Sequence, residues 1–239
     1  MKSPPLTLLL EEAFPTWEEF ELTCWVFEAV DQHQNDFDEL IECLDLANGR
    51  QDFIARLRAA HPVGAIHNVQ HDHRLLDVFT EGAAFAWAFR VAKLGCPRFV
   101  AEEGAPDIAI EDTWLEVKTV RNSQEEEQFK EEVLNPHLRR HGIAIRGAVT
   151  LEAPLAGFVG KFQSHLDNAL LKWERQGRNG QFIVYYGFNI DFGVSGRAAR
   201  KEIRDWAATS ERRHGISIVI CPRFEWERPL YDSTQKTPV

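Results

Sequence analysis

The stretch that most limits the fold is the uncharged run from Gln181 to Ile190, which carries Phe182, Ile183, Val184, Tyr185, Tyr186 and Phe188. Such a run reads as a strand buried inside a sheet, and a buried strand needs neighbours. The flanking sequence supplies them. Val159 to Arg175 before it and Gly196 to His214 after it have helical patterns, and Gly215 to Cys221 reads as a further strand through Ile216, Ile218, Val219 and Ile220. Upstream, Asp77 to Lys93 has the composition of a helix ended by Gly95 and Pro97, and Arg98 to Ala101 is a first strand. Alternating helices and strands argue for an α/β layer around a mixed sheet.

Between these elements lies Pro106-Asp107-Ile108-Ala109-Ile110-Glu111-Asp112-Thr113-Trp114-Leu115-Glu116-Val117-Lys118. It reads as two short strands joined by a polar turn. Residues two apart on a strand share a face, so Glu116 and Lys118 emerge side by side. If the strands pair as a hairpin, Asp107 reaches the same patch. Two carboxylates and a lysine at one point suit metal-assisted phosphodiester hydrolysis, because hard oxygens hold Mg²⁺ and the cation positions and activates a water. Ile108, Ile110, Leu115 and Val117 give the hairpin an apolar opposite face, and Trp114 reads as a packing anchor. The plain alternative is a solvated Glu-x-Lys ion pair, which contributes about 0–1 kcal/mol, beside a Pro-Asp turn.

Pro106-Asp107 followed by Glu116-Val117-Lys118, set in this order of elements, resembles the PD-(D/E)xK nuclease superfamily. The likeness covers residues 75–221. It implies a restriction-endonuclease-like core, a mixed central sheet flanked by helices. It also implies that Asp107, Glu116 and the Val117 carbonyl hold Mg²⁺ or Mn²⁺, that Lys118 handles the attacking water, and that the products carry 5′-phosphate and 3′-hydroxyl ends. Members often add an acidic residue from the first helix. Glu81 is the candidate here, although a glutamate early in a helix also complements the helix dipole. Lys161, Gln163 and His165 are the polar residues of the later helix that can face the site. The activity expected is that of a metal-dependent nuclease, with DNA favoured over RNA and a role in defence against foreign DNA. The alternatives are an RNase using the same chemistry and a non-catalytic relative that only binds.

The net charge of −10 runs against a broadly basic nucleic-acid-binding surface. The acidity is uneven, however, being concentrated in residues 11–45 and 124–132. Arg197, Arg200, Lys201 and Arg204 recur at helical spacing and are candidates for phosphate contact, with Arg139, Arg140 and Arg146 as a second source. Ala199, Ile203, Trp206 and Ala207 would form the core-facing stripe of that helix.

Residues 1–65 read as a helical N-terminal module, ahead of a nuclease-like domain at 66–239. Helical patterns cover Thr16 to Asp31, Phe37 to Ala47 and Gln51 to Ala60, with Thr16 and Glu19 forming a capping box and Asn48-Gly49 as a stop. Leu9 to Pro15, Gly49 to Ile54 and Ala59 to Pro62 resemble bacterial effector-associated domains. That likeness implies a protein partner bound through like-with-like contacts. The other reading is a helical extension packed on the core. His67, His71 and His73 read as a polar connection rather than a zinc site. Scattered Cys24, Cys43, Cys96 and Cys221 favour reduced thiols in the cytoplasm. The apolar run Leu6 to Leu10 is too short for a leader core or a membrane span. Cutting both strands of a duplex would make a homodimer natural.

Overall fold

The computed structural model describes residues 5–14, 37–61, 69–102, 104–121, 154–177, 179–188, 197–222 and 226–235. The chain is mixed α/β. Helices α1 (Pro5–Ala13), α2 (residues 37–46), α3 (Arg50–Ala60) and α4 (Val69–Ala86) precede the sheet, and α4 continues into a π-helical turn at Trp87–Val91. Strands β1 (Arg98–Phe99), β2 (Ile108–Ile110) and β3 (Thr113–Val120) follow. Next come α5 (Pro154–Arg175), β4 (Gln181–Phe188), α6 (Arg197–His214), β5 (Ser217–Pro222) and β6 (Tyr231–Asp232).

The six strands form one sheet in chain order. β1, β2 and β3 are an antiparallel meander, β3–β4 and β4–β5 are parallel, and β6 closes the far edge antiparallel to β5. Parallel neighbours need a crossover, and α5 and α6 supply the two. β4 lies between parallel partners with both faces covered, which explains its unbroken apolar run: Phe182 to Phe188 are all buried.

Side chains alternate along the strands into two cores. Ile108, Ile110, Leu115, Val117, Ile183, Tyr185 and Val219 pack with α4 on one side. Phe182, Val184, Tyr186, Ile218 and Ile220 pack with Phe162, Leu166 and Ala169 of α5 and Ile203 and Ala207 of α6 on the other. Trp114 packs against this second core. The described N-terminal helices extend the first core, since Leu9, Leu44, Phe53 and Leu57 are buried in the same cluster as α4. α4 approaches the sheet closely where β4 has Gly187, because a Cβ there would lie 2.4 Å from Cγ2 of Thr80.

Several boundaries differ from the sequence reading. α4 begins at Val69, eight residues before the expected start, because its first turns are polar and carry no apolar signal. Glu81 therefore stands deep in the helix, and the dipole explanation of its placement no longer applies. His71 and His73 belong to this helix and not to an irregular connection, while His67 lies outside the described residues. The helix ends at a left-handed Lys93 (φ 53°), where the N–H of Leu94 returns to the Ala88 carbonyl. α1 was not anticipated, though Leu6, Leu9, Leu10, Ala13 and Phe14 have helical spacing and are all buried. The expected helix at Thr16 to Asp31 and the arginines at 139, 140 and 146 lie outside the described residues. No described helix is long and apolar enough to cross a membrane.

Candidate active site

The site forms where the sheet splits. β2 pairs with Thr113, Trp114 and Leu115 of β3 and then stops, while β3 runs on to Val120 beside β4. Residues 116–120 therefore present an edge that β2 does not cover. The two-residue turn Glu111-Asp112 sets the register, with Ile108 opposite Leu115, and one further step along it brings Asp107 opposite Glu116. Directly opposed residues on antiparallel strands point to one face with Cβ atoms about 5 Å apart. Asp107 takes over the ladder at this point. Its Oδ2 accepts the Val117 N–H at 2.7 Å, a backbone donor that β2 no longer reaches.

Glu116 is fully buried. Its Oε1 accepts Lys118 Nζ at 2.5 Å and Lys172 Nζ at 2.8 Å, the second lysine coming from α5. Its Oε2 is equally buried and has no hydrogen-bond partner. Burial raises the Glu116 pKa, and the negative charge of Asp107 adds to the rise; Lys118 and Lys172 oppose it.

Glu81 of α4 reaches the same place from the opposite layer. Burial, then the charge of Asp107, pushes its pKa up to about 7, against the pull of Arg56. Arg56 comes from α3. It donates to Glu81 Oε2 at 2.5 Å and to the Val100 carbonyl at 2.6 Å, and its guanidinium lies 4.9 Å over the Phe99 ring. A cavity of about 460 Å³ opens beside these groups, lined by Asp77, Glu81, Lys118, Arg121, Lys161 and His165 together with Val117 and Thr119. Arg121 pairs with Asp77, and Lys161 Nζ donates to the Arg121 carbonyl at 3.1 Å. His165 is half-buried, and burial with the charges of Lys118 and Arg121 lowers its pKa, so it is neutral at pH 7.

The structure thus brings Asp107, Glu116, Lys118, Glu81 and Val117 to one region. Of the three polar residues on α5, Lys161 and His165 line the cavity. Gln163 turns away, donating to Asp167 and accepting from Trp206 Nε1. Of the basic stripe on α6, Arg200, Lys201 and Arg204 are not among the residues lining this cavity. Lys201 pairs with Asp205 at 2.6 Å, Arg204 donates to the Leu230 carbonyl at 3.0 Å, and Arg200 is exposed. The side chain of Arg197 lies outside the described residues. Sequence reasoning missed Lys172, Arg56, Asp77 and Arg121. Lys172 had a signal, since His165 and Lys172 are seven apart and so share a helix face.

Among the described residues no group of three His, Cys, Asp or Glu side chains is arranged to hold a metal ion. Mg²⁺ asks for less, taking one or two carboxylates and keeping several waters. The donors fit that need, because Glu116 has a buried oxygen with no proton donor and Asp107 stands opposite it. No family model, no curated protein and no solved structure matches this chain.

Proposed function

We propose that the chain is a metal-dependent nuclease with a restriction-endonuclease-like core, hydrolysing phosphodiester bonds of nucleic acid, DNA before RNA. The observation that carries this reading is the state of Glu116. A fully buried carboxylate with two lysines on one oxygen and nothing on the other is costly for structure alone, and it gains a purpose if the bare oxygen binds a cation. The order of elements supports the fold assignment, since a helix, an antiparallel three-stranded meander, a helix and a parallel strand follow one another as in the superfamily.

In this reading Asp107, Glu116 and the Val117 carbonyl would hold Mg²⁺ or Mn²⁺. The cation, when bound, supplies Lewis acidity at the phosphate and an acidified water. Asp107 Oδ2 is held by the Val117 N–H at 2.7 Å, which would leave its second oxygen for the cation. Lys118, held at 2.5 Å from Glu116, orients the attacking water and meets charge developing on the phosphate. Glu81, with a pKa of about 7, can accept a proton near neutral pH. Neutral His165 and the cations Arg121 and Lys161 give the cavity hydrogen-bond donors for the strand's phosphates. By resemblance, the water attacks in line with the leaving 3′ oxygen and leaves a 5′-phosphate.

The test is incubation of the purified chain with plasmid, single-stranded DNA and RNA, in Mn²⁺ or Mg²⁺ and in EDTA, with the ends of any product mapped. Metal-dependent cutting that leaves 5′-phosphates is expected, and the substrate cut fastest names the class. A folded chain that binds nucleic acid but cuts none of the three would replace this reading with a binding module.

A further inference from the structure

Lys172 stands among the acidic groups of the site. Its ammonium lies 2.8 Å from Glu116 Oε1, and the side chain is 29% exposed. Burial works to lower its pKa. The hydrogen bond to Glu116 and the charges of Asp107, Glu116 and Glu81 outweigh that and raise it. The ammonium thus sits on Glu116 within the field of Asp107 and Glu81, a negative region that would also attract a divalent cation. Lys118 already satisfies the same Glu116 oxygen from within β3, so Lys172 is not needed to make that hydrogen bond. Its distinct contribution is charge.

Resting on the nuclease reading above, we propose that Lys172 is the internal counter-ion of the carboxylate cluster: it neutralises the site before a divalent cation binds and gives way when one does. Lys118 and Lys172 place two positive charges on a carboxylate that must also coordinate a dication, and like charges a few ångströms apart in a buried site oppose one another strongly. A lysine has a long flexible stem on which its head can withdraw, and the Lys172 side chain is already partly exposed. Glu116 Oε2 is buried and carries no proton donor, so it is the oxygen left for a cation. Lys172 then sets how much metal the enzyme needs, and it keeps the empty site from being driven apart by its own charges.

The first measurement is calorimetric titration of Mn²⁺, without nucleic acid, into wild type, Lys172→Met and Lys172→Arg. Lys172→Met is expected to bind Mn²⁺ about tenfold more tightly than wild type, while its metal-free form melts at a lower temperature. Lys172→Arg, which keeps the charge, stays close to wild type. Unchanged or weaker Mn²⁺ binding in Lys172→Met would overturn the proposal and make Lys172 a group that merely orients Glu116. Absence of Mn²⁺ binding in wild type and in both variants would overturn the nuclease reading itself, a separate outcome. A second measurement needs no variant. Labelling of wild type with an amine-reactive reagent, read by peptide mass spectrometry, should modify Lys172 faster in saturating Mn²⁺ than in EDTA. Slower or equal labelling would contradict displacement.

Discussion

Taking a carboxylate out of water costs several kcal/mol unless its lone pairs find donors, and Glu116 has donors on one oxygen only. Glu81 is under similar stress, with its pKa lifted to about 7 from an ordinary 4.5. Between these two values the folded chain holds a proton that the unfolded chain has released. Stability therefore falls as pH rises through that window, and the contribution is whole below 4.5 and gone above 7. A shift of this size corresponds to roughly 3 kcal/mol. Thermal melts in EDTA should drop between pH 5 and pH 8, and Glu81→Gln should flatten the drop. Saturating Mn²⁺ should restore stability most at the alkaline end, where Glu81 is charged. Equal pH dependence in wild type and Glu81→Gln would show that Glu81 is not the strained acid.

The hairpin β2–β3 is the element that makes the site, and two backbone features bear on its turn, one within it and one packed against it. Glu111 adopts φ 50°, a left-handed conformation that costs a non-glycine residue about 1 kcal/mol or more. Glu111→Gly should therefore stabilise the fold by roughly 0.5–1 kcal/mol, seen as a higher denaturation midpoint with site chemistry unchanged. Gly180 has φ 77°, and a Cβ there would lie 2.0 Å from the Asp112 carbonyl oxygen, which also accepts the N–H of Gln181 at 2.9 Å. Gly180→Ala should destabilise by roughly 1–3 kcal/mol, measured by urea titration. Neutral behaviour would mean that the turn and β4 separate freely.

Elements of this kind were legible in different degrees. The alternation of Ile108, Ile110, Leu115 and Val117 and the uncharged run of β4 announced themselves, because burial on a sheet imposes a local pattern. β6 did not, since two residues pairing with β5 carry no periodicity. The start of α4 was hidden by its polar first turns. Within the site, Asp107, Glu116 and Lys118 could be found because a hairpin brings them together through local geometry. Arg56 could not, because it arrives from α3, whose facing only tertiary packing decides; Lys172 shared a helix face with His165, but which way that face turned was again a matter of packing.

At the scale of the molecule, the N-terminal helices are bound to the site by more than sequence. Leu57 of α3 is fully buried in the core it shares with α4, and its neighbour Arg56 holds Glu81. Leu57→Ala should cost about 2–5 kcal/mol and lower one cooperative transition of the whole chain. Two separate transitions, with only the first displaced, would show that residues 5–61 unfold independently. The shared core fits a helical extension as well as a recruiting module, and contact with a partner protein would then bear directly on α3 and through Arg56 on Glu81.

The central claim is that Asp107, Glu116 and Lys118 form one metal-dependent centre, and the most direct measurement is the cleavage rate of plasmid DNA in Mn²⁺ by wild type beside Asp107→Ala, Glu116→Ala and Lys118→Ala, each checked for folding by circular dichroism. EDTA should stop wild type, and each substitution should slow cutting by roughly a hundredfold or more. Full activity retained in all three folded variants would contradict that claim.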